Sequence, residues 1–251
     1  METRDEQTDS YREVFRVGEP VHSGPVAVLD FDSKVLSELL KKLVDDGIFE
    51  FAIDLIVEER NGKLLCFLDS ESRNFRRMRD WVLPAPGSEL DAISRSLGLD
   101  IISRMKEATF EKPDGIDLSS RFHRATIELT FANSGVKPRA YDRAPHIDAL
   151  SAYVEMPVVE GLWSDEVSTI LYEGITPWED TTKFAQKTKG LTRLNIPPKS
   201  LSVSRGATLI HGAPETENDR WLLRCFVEPV SVLTANQCRT ALGPDLSFRS
   251  R

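Results

Sequence analysis

The stretch Phe122-His123-Arg124-Ala125-Thr126-Ile127-Glu128-Leu129-Thr130-Phe131 alternates polar and apolar residues from Ala125 onward. A period of two predicts a β-strand with one buried face. Similar runs follow it, with Pro and Gly between them at short intervals, which is typical of an antiparallel sandwich or barrel. We expect further strands over residues 149–159, 167–172, 191–196, 201–204, 207–211 and 221–227.

The residues before this stretch show a helical pattern instead. From 34 to 46 apolar residues recur every three or four positions, with Ser33 placed to cap the helix and Gly47 to end it. A second helix is expected over residues 88–109, in which Gly98 is a candidate break. Between the two helices, Asn61-Gly62 separates two β-prone runs and predicts a hairpin.

We therefore predict a mainly β protein with an α-helical N-terminal layer, in which helices buttress the outside of a sheet. Residues 1–24, rich in charge, Gly and Pro, are expected to form a flexible arm. Residues 25–251 are expected to form a single domain. Its parts are a helical and hairpin part (25–115), a β core (116–235) and a C-terminal tail (236–251).

Composition excludes several classes of function. A net charge of −8 argues against nucleic acid as a partner, and no apolar run approaches the ~20 residues that cross a bilayer. The N-terminus is acidic and polar, unlike a signal peptide. The three cysteines, Cys66, Cys225 and Cys238, are widely spaced, so we expect reduced thiols in a cytoplasmic protein. The sequence makes no prediction about oligomeric state.

Three residues of the β core form a candidate metal site. His146 and Asp148 are two positions apart, so on a strand their side chains share a face and can chelate one ion. His211 ends the predicted strand 207–211 and would be held there by its own ladder. Two histidines and one carboxylate are the ligand set of a non-haem iron(II) centre that leaves one face of the metal open.

Two arginines follow on the last predicted strand. Arg220 and Arg224 are four positions apart, so both should project into one cavity. Burying two guanidinium groups is costly without partners, and carboxylate ligands are the economical explanation. On the loop before the metal pair, Arg143 is a candidate gate for an acidic substrate, although a solvated loop explains it equally well.

His146-x-Asp148, Ile210-His211-Gly212 and Asp219-Arg220-Trp221-Leu222-x-Arg224, in this order, resemble the iron(II)/2-oxoglutarate-dependent oxygenases, in particular their clavaminate-synthase-like and taurine-dioxygenase-like branch. The likeness covers about residues 121–230. It implies a double-stranded β-helix, the jelly-roll fold shared with cupins. The implied roles are as follows: His146, Asp148 and His211 hold Fe(II), Arg220 and Thr169 bind 2-oxoglutarate, and Arg224 faces the acidic group of the substrate.

The resemblance also implies a reaction. A dioxygenase of this kind uses O2 and 2-oxoglutarate to oxidise, most often to hydroxylate, an unactivated C–H bond, and releases succinate and CO2. The expected substrate is a small carboxylate, such as an amino acid or a natural-product intermediate. Related halogenases have a small residue at the position of Asp148, so an aspartate there disfavours halogenation.

Two alternatives use the same residues differently. A cupin-type metal-dependent hydrolase or isomerase could hold another metal on the same triad, but it needs no inward-facing arginines. A metal-free small-molecule-binding barrel needs no intact triad.

Overall fold

The computed structural model describes residues 18–68, 84–85, 87–108, 121–134, 145–146, 159–178, 188–205, 209–214 and 218–230. Within these residues it shows antiparallel sheets and two helices, which confirms the mainly β architecture. The helices are α1 (Lys34–Asp45) and α2 (Glu89–Glu107). The strands are β1 (Pro20–Ser23), β2 (Val26–Asp30), β3 (Glu50–Arg60), β4 (Lys63–Leu68), β5 (Phe122–Ala132), β6 (Val159–Ser164), β7 (Ile170–Pro177), β8 (Leu191–Leu194), β9 (Ser200–Arg205), β10 (Ile210–Gly212) and β11 (Arg220–Pro229).

The strands form a large and a small sheet. In the described part of the chain, the large sheet has seven strands in the order β2-β9-β6-β11-β5-β3-β4, and in the small sheet β7 pairs with β1, β8 and β10. Every pairing is antiparallel. β11 lies between β5 and β6, with Arg224 opposite Glu128 on one side and Leu162 on the other. The last predicted strand is therefore central in its sheet.

Helix α1 forms where the sequence predicts it. The Ser33 hydroxyl accepts a hydrogen bond from the backbone N–H of Leu36, 3.1 Å away, which satisfies one of the unpaired donors of the first turn. Leu36, Leu39 and Leu43 are buried. Gly47 has a φ of 70°, a conformation that ends a helix at little steric cost for glycine.

Helix α2 is continuous through Gly98, so the candidate break there was wrong. A Cβ at Gly98 would lie 2.3 Å from Leu55 Cδ1 of β3. The glycine is explained by close packing of the helix on the large sheet, which the local sequence does not reveal. The main core lies between this face of the sheet and the two helices and includes Leu97, Ile127 and Trp163.

The hairpin prediction is confirmed, since Asn61 and Gly62, with φ of 52° and 71°, join β3 to β4. Other boundaries differ. Pro20–Ser23 lies within the expected arm yet forms β1, because it pairs with β7. Every residue of β6 is buried, and a strand buried on both faces shows no alternation to detect. Residues 149–158 of the predicted strand 149–159 lie outside the described ranges.

The two sheets contact each other through a small apolar cluster. Leu162 of β6 packs with Leu171 of β7 and with Leu209 just before β10. One face of the small sheet therefore covers part of the large sheet, on the side opposite the helices. Within the ranges given above, no helix is long and apolar enough to cross a membrane.

The described cysteines are core residues. Cys66 and Cys225 are buried and not in a disulfide, and burial raises the pKa of the Cys66 thiol to about 12. Both therefore behave as small apolar side chains. Cys238 lies outside the described residues.

Candidate functional site

His146 and His211, which are 65 positions apart in the sequence, lie side by side in the structure. The two residues form an isolated antiparallel bridge, with His146 N–H donating to the His211 carbonyl at 2.8 Å and His211 N–H donating to the His146 carbonyl at 2.9 Å. Opposed residues in such a pair project to the same face, and the two imidazole centroids are 4.6 Å apart. Both side chains are buried. The structure thus brings together two of the three predicted metal ligands.

The orientation of the His211 ring is set by a neighbouring carbonyl. His211 Nδ1 lies 3.1 Å from the backbone oxygen of Leu209. A carbonyl only accepts, so Nδ1 carries the proton and donates it. The neutral ring then has its lone pair on Nε2. A histidine that binds a metal through one nitrogen commonly donates from the other in this way.

The third predicted ligand, Asp148, and the candidate gate Arg143 lie outside the described residues. Among the residues that are described, no three His, Cys, Asp or Glu side chains are grouped closely enough to hold a metal ion. The assignments of Asp148 and Arg143 therefore stay predictions from the sequence.

Arg220 is buried at the start of β11, with 3% of its surface exposed. One of its terminal nitrogens donates to the carbonyl of Val167, and within the described chain its Nε has no hydrogen-bond partner. Burial lowers the pKa of the Arg220 guanidinium, and the nearby Asp165 carboxylate opposes this effect. A buried cation with an unsatisfied donor is the group that an anionic ligand would complete.

The turn between β6 and β7 forms the wall beside Arg220. Asp165 accepts a hydrogen bond from the backbone N–H of Trp221 at 2.8 Å, which ties the turn to β11. Val167 supplies the carbonyl that Arg220 contacts. Thr169, the predicted second 2-oxoglutarate residue, is half-buried at the end of the same turn, directly before β7.

Arg224 has different surroundings from Arg220. Its Nε donates to Glu160 of β6, a carboxylate whose side chain is 1% exposed, whereas the Arg224 side chain is 29% exposed. The Arg224 guanidinium also lies 4.7 Å from the centroid of the Phe226 ring, a distance suited to a cation–π contact. Arg224 already has an internal partner, so its predicted contact with a substrate stays a prediction.

His211 and the two arginines lie on the faces by which the small and the large sheet are turned towards each other. His211 and Leu209 share a face of their strand by alternation, and Leu209 packs against the large sheet. On β11, Trp221 and Leu223 pack into the helix-side core, so the alternating set that contains Arg220 and Arg224 points the opposite way, towards the small sheet.

A separate cavity lies on the helix side. It has a volume of about 420 Å³ and is lined by α1 together with Trp163, Asp165, Lys199 and Trp221. None of the site residues predicted from the sequence lines it; Asp165, which also lies near Arg220, is on its edge.

Sequence reasoning missed the residues that support the site. Glu160 pairs with Arg224 only because β6 and β11 are neighbours, and Asp165 reaches Trp221 across the same pair of strands. Ser23 lies in the stretch assigned to the flexible arm, yet it is 3% exposed and contacts the His211 strand. No local signal marks any of the three, because each contact depends on strand register.

No protein-family model matches this chain, and no curated protein matches it. Among solved structures, similarity is found to TqaL, an Fe(II)/α-ketoglutarate-dependent dioxygenase, with 10% identity, TM-score 0.39, and coverage of 81% of this chain and 82% of that one. IDO from Bacillus thuringiensis gives 9% identity, TM-score 0.40, and coverage of 91% and 100%. EvdO2 from Micromonospora carbonacea var. aurantiaca gives 13% identity, TM-score 0.31, and coverage of 91% of this chain and 92% of that one.

Proposed function

We propose that this protein is a non-haem iron(II), 2-oxoglutarate-dependent dioxygenase with a double-stranded β-helix core. The observation that carries the proposal is the pairing of His146 with His211. Two buried imidazoles project from opposed positions of one bridge, with their centroids 4.6 Å apart. That arrangement suits two nitrogen ligands to one metal ion.

The donor set fits the metal. His211 is held as the tautomer that ligates through Nε2, because its Nδ1 donates to the Leu209 carbonyl. His146 is fixed opposite it by two backbone hydrogen bonds. Asp148, two residues after His146, would supply the anionic ligand and is part of the proposal.

The proposed role of Arg220 is to bind the distal carboxylate of 2-oxoglutarate. Its Nε is buried without a partner in the described chain, and a bound carboxylate would supply the missing acceptor and a further negative charge beside that of Asp165. Asp165 and the Val167 carbonyl would hold the guanidinium in place, and Thr169 would add a hydroxyl from the same turn. A hydrolase or isomerase has no need of such a cation.

Bound iron(II) and 2-oxoglutarate would supply O2 activation, with 2-oxoglutarate converted to succinate and CO2 and one oxygen atom delivered to a C–H bond of the substrate. The protein positions the substrate and excludes water. We propose a small acidic substrate, such as an amino acid or natural-product intermediate, with Arg143 and Arg224 as candidate contacts.

Anaerobic titration of the full chain with Fe(II) tests the metal site. We expect one ion per chain, with binding weakened at least 100-fold by His146→Ala or His211→Ala, because each removes a ligand. His22→Ala is the matched control, since His22 is exposed on β1. Equal Fe(II) affinity in all three variants and the wild type would show that the pair is not a metal site.

The substrate requires a second experiment. Amino acids and small peptides would be screened for substrate-dependent release of succinate from 2-oxoglutarate under O2. We expect acidic or zwitterionic compounds to stimulate release and neutral amide analogues to do so less, because the proposed contacts are arginines. Equal stimulation by acids and amides would contradict that substrate class.

A further inference from the structure

We propose that Ser23 is a positioning residue for His211, which it holds through the peptide group that joins Leu209 to Ile210. This inference rests on the proposed function, because it concerns how a metal-binding histidine is oriented. Ser23 itself would contact neither the metal nor the substrate.

Strands β1 and β10 meet end to end against β7. Ser23, the last residue of β1, pairs with Gly174, and Ile210, the first residue of β10, pairs with Tyr172. β8 pairs with residues 171–174 of β7 and overlaps both contacts, so β1 and β10 lie on the other edge. A segment nearly 190 residues earlier in the chain thus abuts the His211 strand.

The Ser23 hydroxyl bridges the junction. It accepts a hydrogen bond from the backbone N–H of Ile210 at 2.8 Å and donates one to the carbonyl of Tyr172 at 2.6 Å. Ile210 and Tyr172 are themselves partners in the ladder. Ser23 is 3% exposed, so water does not replace the hydroxyl easily, and its loss would leave buried backbone groups unsatisfied.

The same peptide group contacts both Ser23 and His211. Its N–H, from Ile210, donates to Ser23, and its C=O, from Leu209, accepts from Nδ1 of His211. A peptide group is planar, so its N–H and C=O turn together. Fixing the N–H direction with Ser23 therefore fixes the carbonyl that orients the imidazole.

A chain of three hydrogen bonds results, which runs from His211 Nδ1 through the peptide and the Ser23 hydroxyl to the Tyr172 carbonyl. Bonds in such chains polarise one another. The chain favours the tautomer with the proton on Nδ1 and the lone pair on Nε2, which is the form ready to bind a metal. Without Ser23, the peptide can rotate and this preference weakens.

The test compares Ser23→Ala and Ser23→Thr with a matched control, Ser202→Ala, in the full-length protein. Ser202 is also a buried strand serine whose hydroxyl donates to a carbonyl, that of Leu162 at 3.1 Å, but it lies on β9 of the large sheet. Ser23→Thr keeps the hydroxyl and tests rescue. Ser23→Cys, which retains a weaker donor, replaces Ser23→Ala if the alanine variant does not fold.

Two readouts separate orientation from general stability. Two-bond ¹H–¹⁵N spectra of the metal-free protein report the tautomer of His211, and titration with Co(II) alone reports its metal affinity. We expect the wild type, Ser23→Thr and Ser202→Ala to keep the Nδ1–H tautomer. Ser23→Ala should show a mixture of tautomers and bind Co(II) roughly threefold to tenfold more weakly, less than the effect of a direct partner of a ligand. Ser23→Cys should be intermediate.

A Ser23→Ala variant with the tautomer and Co(II) affinity of Ser202→Ala would overturn the inference. If the wild type binds no Co(II), the proposed function is wrong, while the tautomer spectra still test whether Ser23 orients the ring. The two failures are therefore distinguishable.

Discussion

Arg220 and Arg224 lie on one face of β11, four residues apart, and differ in what surrounds them. Arg220 is almost fully buried and its Nε has no partner in the described chain, whereas Arg224 is partly exposed and paired with Glu160. The alternation of β11 predicted the shared face from sequence. The sequence pattern could not predict the ion pair between Arg224 and Glu160, because the two residues are 64 positions apart and meet only through the register of β6 and β11.

Replacing Arg220 should weaken 2-oxoglutarate binding strongly. For Arg220→Gln we expect a loss of about 2 kcal/mol or more, roughly 30-fold in Kd, because the carboxylate would lose a desolvated cation. Calorimetric titration of the anaerobic metal-loaded protein measures the Kd for 2-oxoglutarate. An unchanged Kd would show that another residue binds this carboxylate.

Arg224 should matter for stability more than for 2-oxoglutarate. Arg224→Met leaves the buried Glu160 carboxylate without its guanidinium and should lower the free energy of unfolding by about 2 kcal/mol. The double variant Arg224→Met/Glu160→Gln should recover most of that loss. Urea unfolding measures both. If the losses of unfolding free energy from the two substitutions were additive, Arg224 and Glu160 would not be paired. A large change in the Kd for 2-oxoglutarate would show that Arg224, and not Arg220, binds this ligand.

At the scale of elements, the sequence predicted those that carry a local signal. The cap at Ser33 and the turn at Asn61-Gly62 act within a few residues, and both are present. β1 was missed because its pairing with β7 is non-local, and most of β6 was missed because both of its faces are buried. The continuity of α2 through Gly98 depends on Leu55 of a different element. Where long-range contacts override the local preference for helix or strand, the sequence pattern alone does not predict the element.

Gly98→Ala provides a test of that packing. Alanine favours an exposed helix by about 1 kcal/mol over glycine, yet here its Cβ would lie 2.3 Å from Leu55 Cδ1. We expect a net destabilisation of about 1–2 kcal/mol, as for other overpacked cores, and partial rescue by Leu55→Val, which removes the clashing methyl group. Thermal or urea unfolding measures it. A stabilised single variant would show that α2 can move away.

At the scale of the whole molecule, the two sheets carry different residues of the candidate site. The small sheet carries His211 and the large sheet carries Arg220, and Leu162, Leu171 and Leu209 pack together where the two sheets meet. The sequence predicted His211 and Arg220 as residues of one site, but the second sheet, which carries His211, follows from topology. A metal chelate of 2-oxoglutarate would connect the two sheets.

This connection should stabilise the fold. A ligand that binds only the folded state, present at 100 times its Kd, adds about 2.7 kcal/mol. For a chain of this size that corresponds to a rise in Tm of roughly 5–10 °C. We expect this rise with Zn(II) plus 2-oxoglutarate, and no rise for His211→Ala. An equal rise in Tm for His211→Ala would show that the metal binds at a different site.

The visible spectrum of the anaerobic protein with Fe(II) and 2-oxoglutarate tests directly whether His146 and His211 hold iron. Chelation of iron by 2-oxoglutarate in a protein site gives a weak metal-to-ligand charge-transfer band. We predict that the wild type and His22→Ala show this band, that His146→Ala and His211→Ala do not, and that Arg220→Gln needs much more 2-oxoglutarate to produce it. Absence of the band in the wild type, or its persistence in His211→Ala, would contradict the assignment of this protein as an iron(II)/2-oxoglutarate oxygenase.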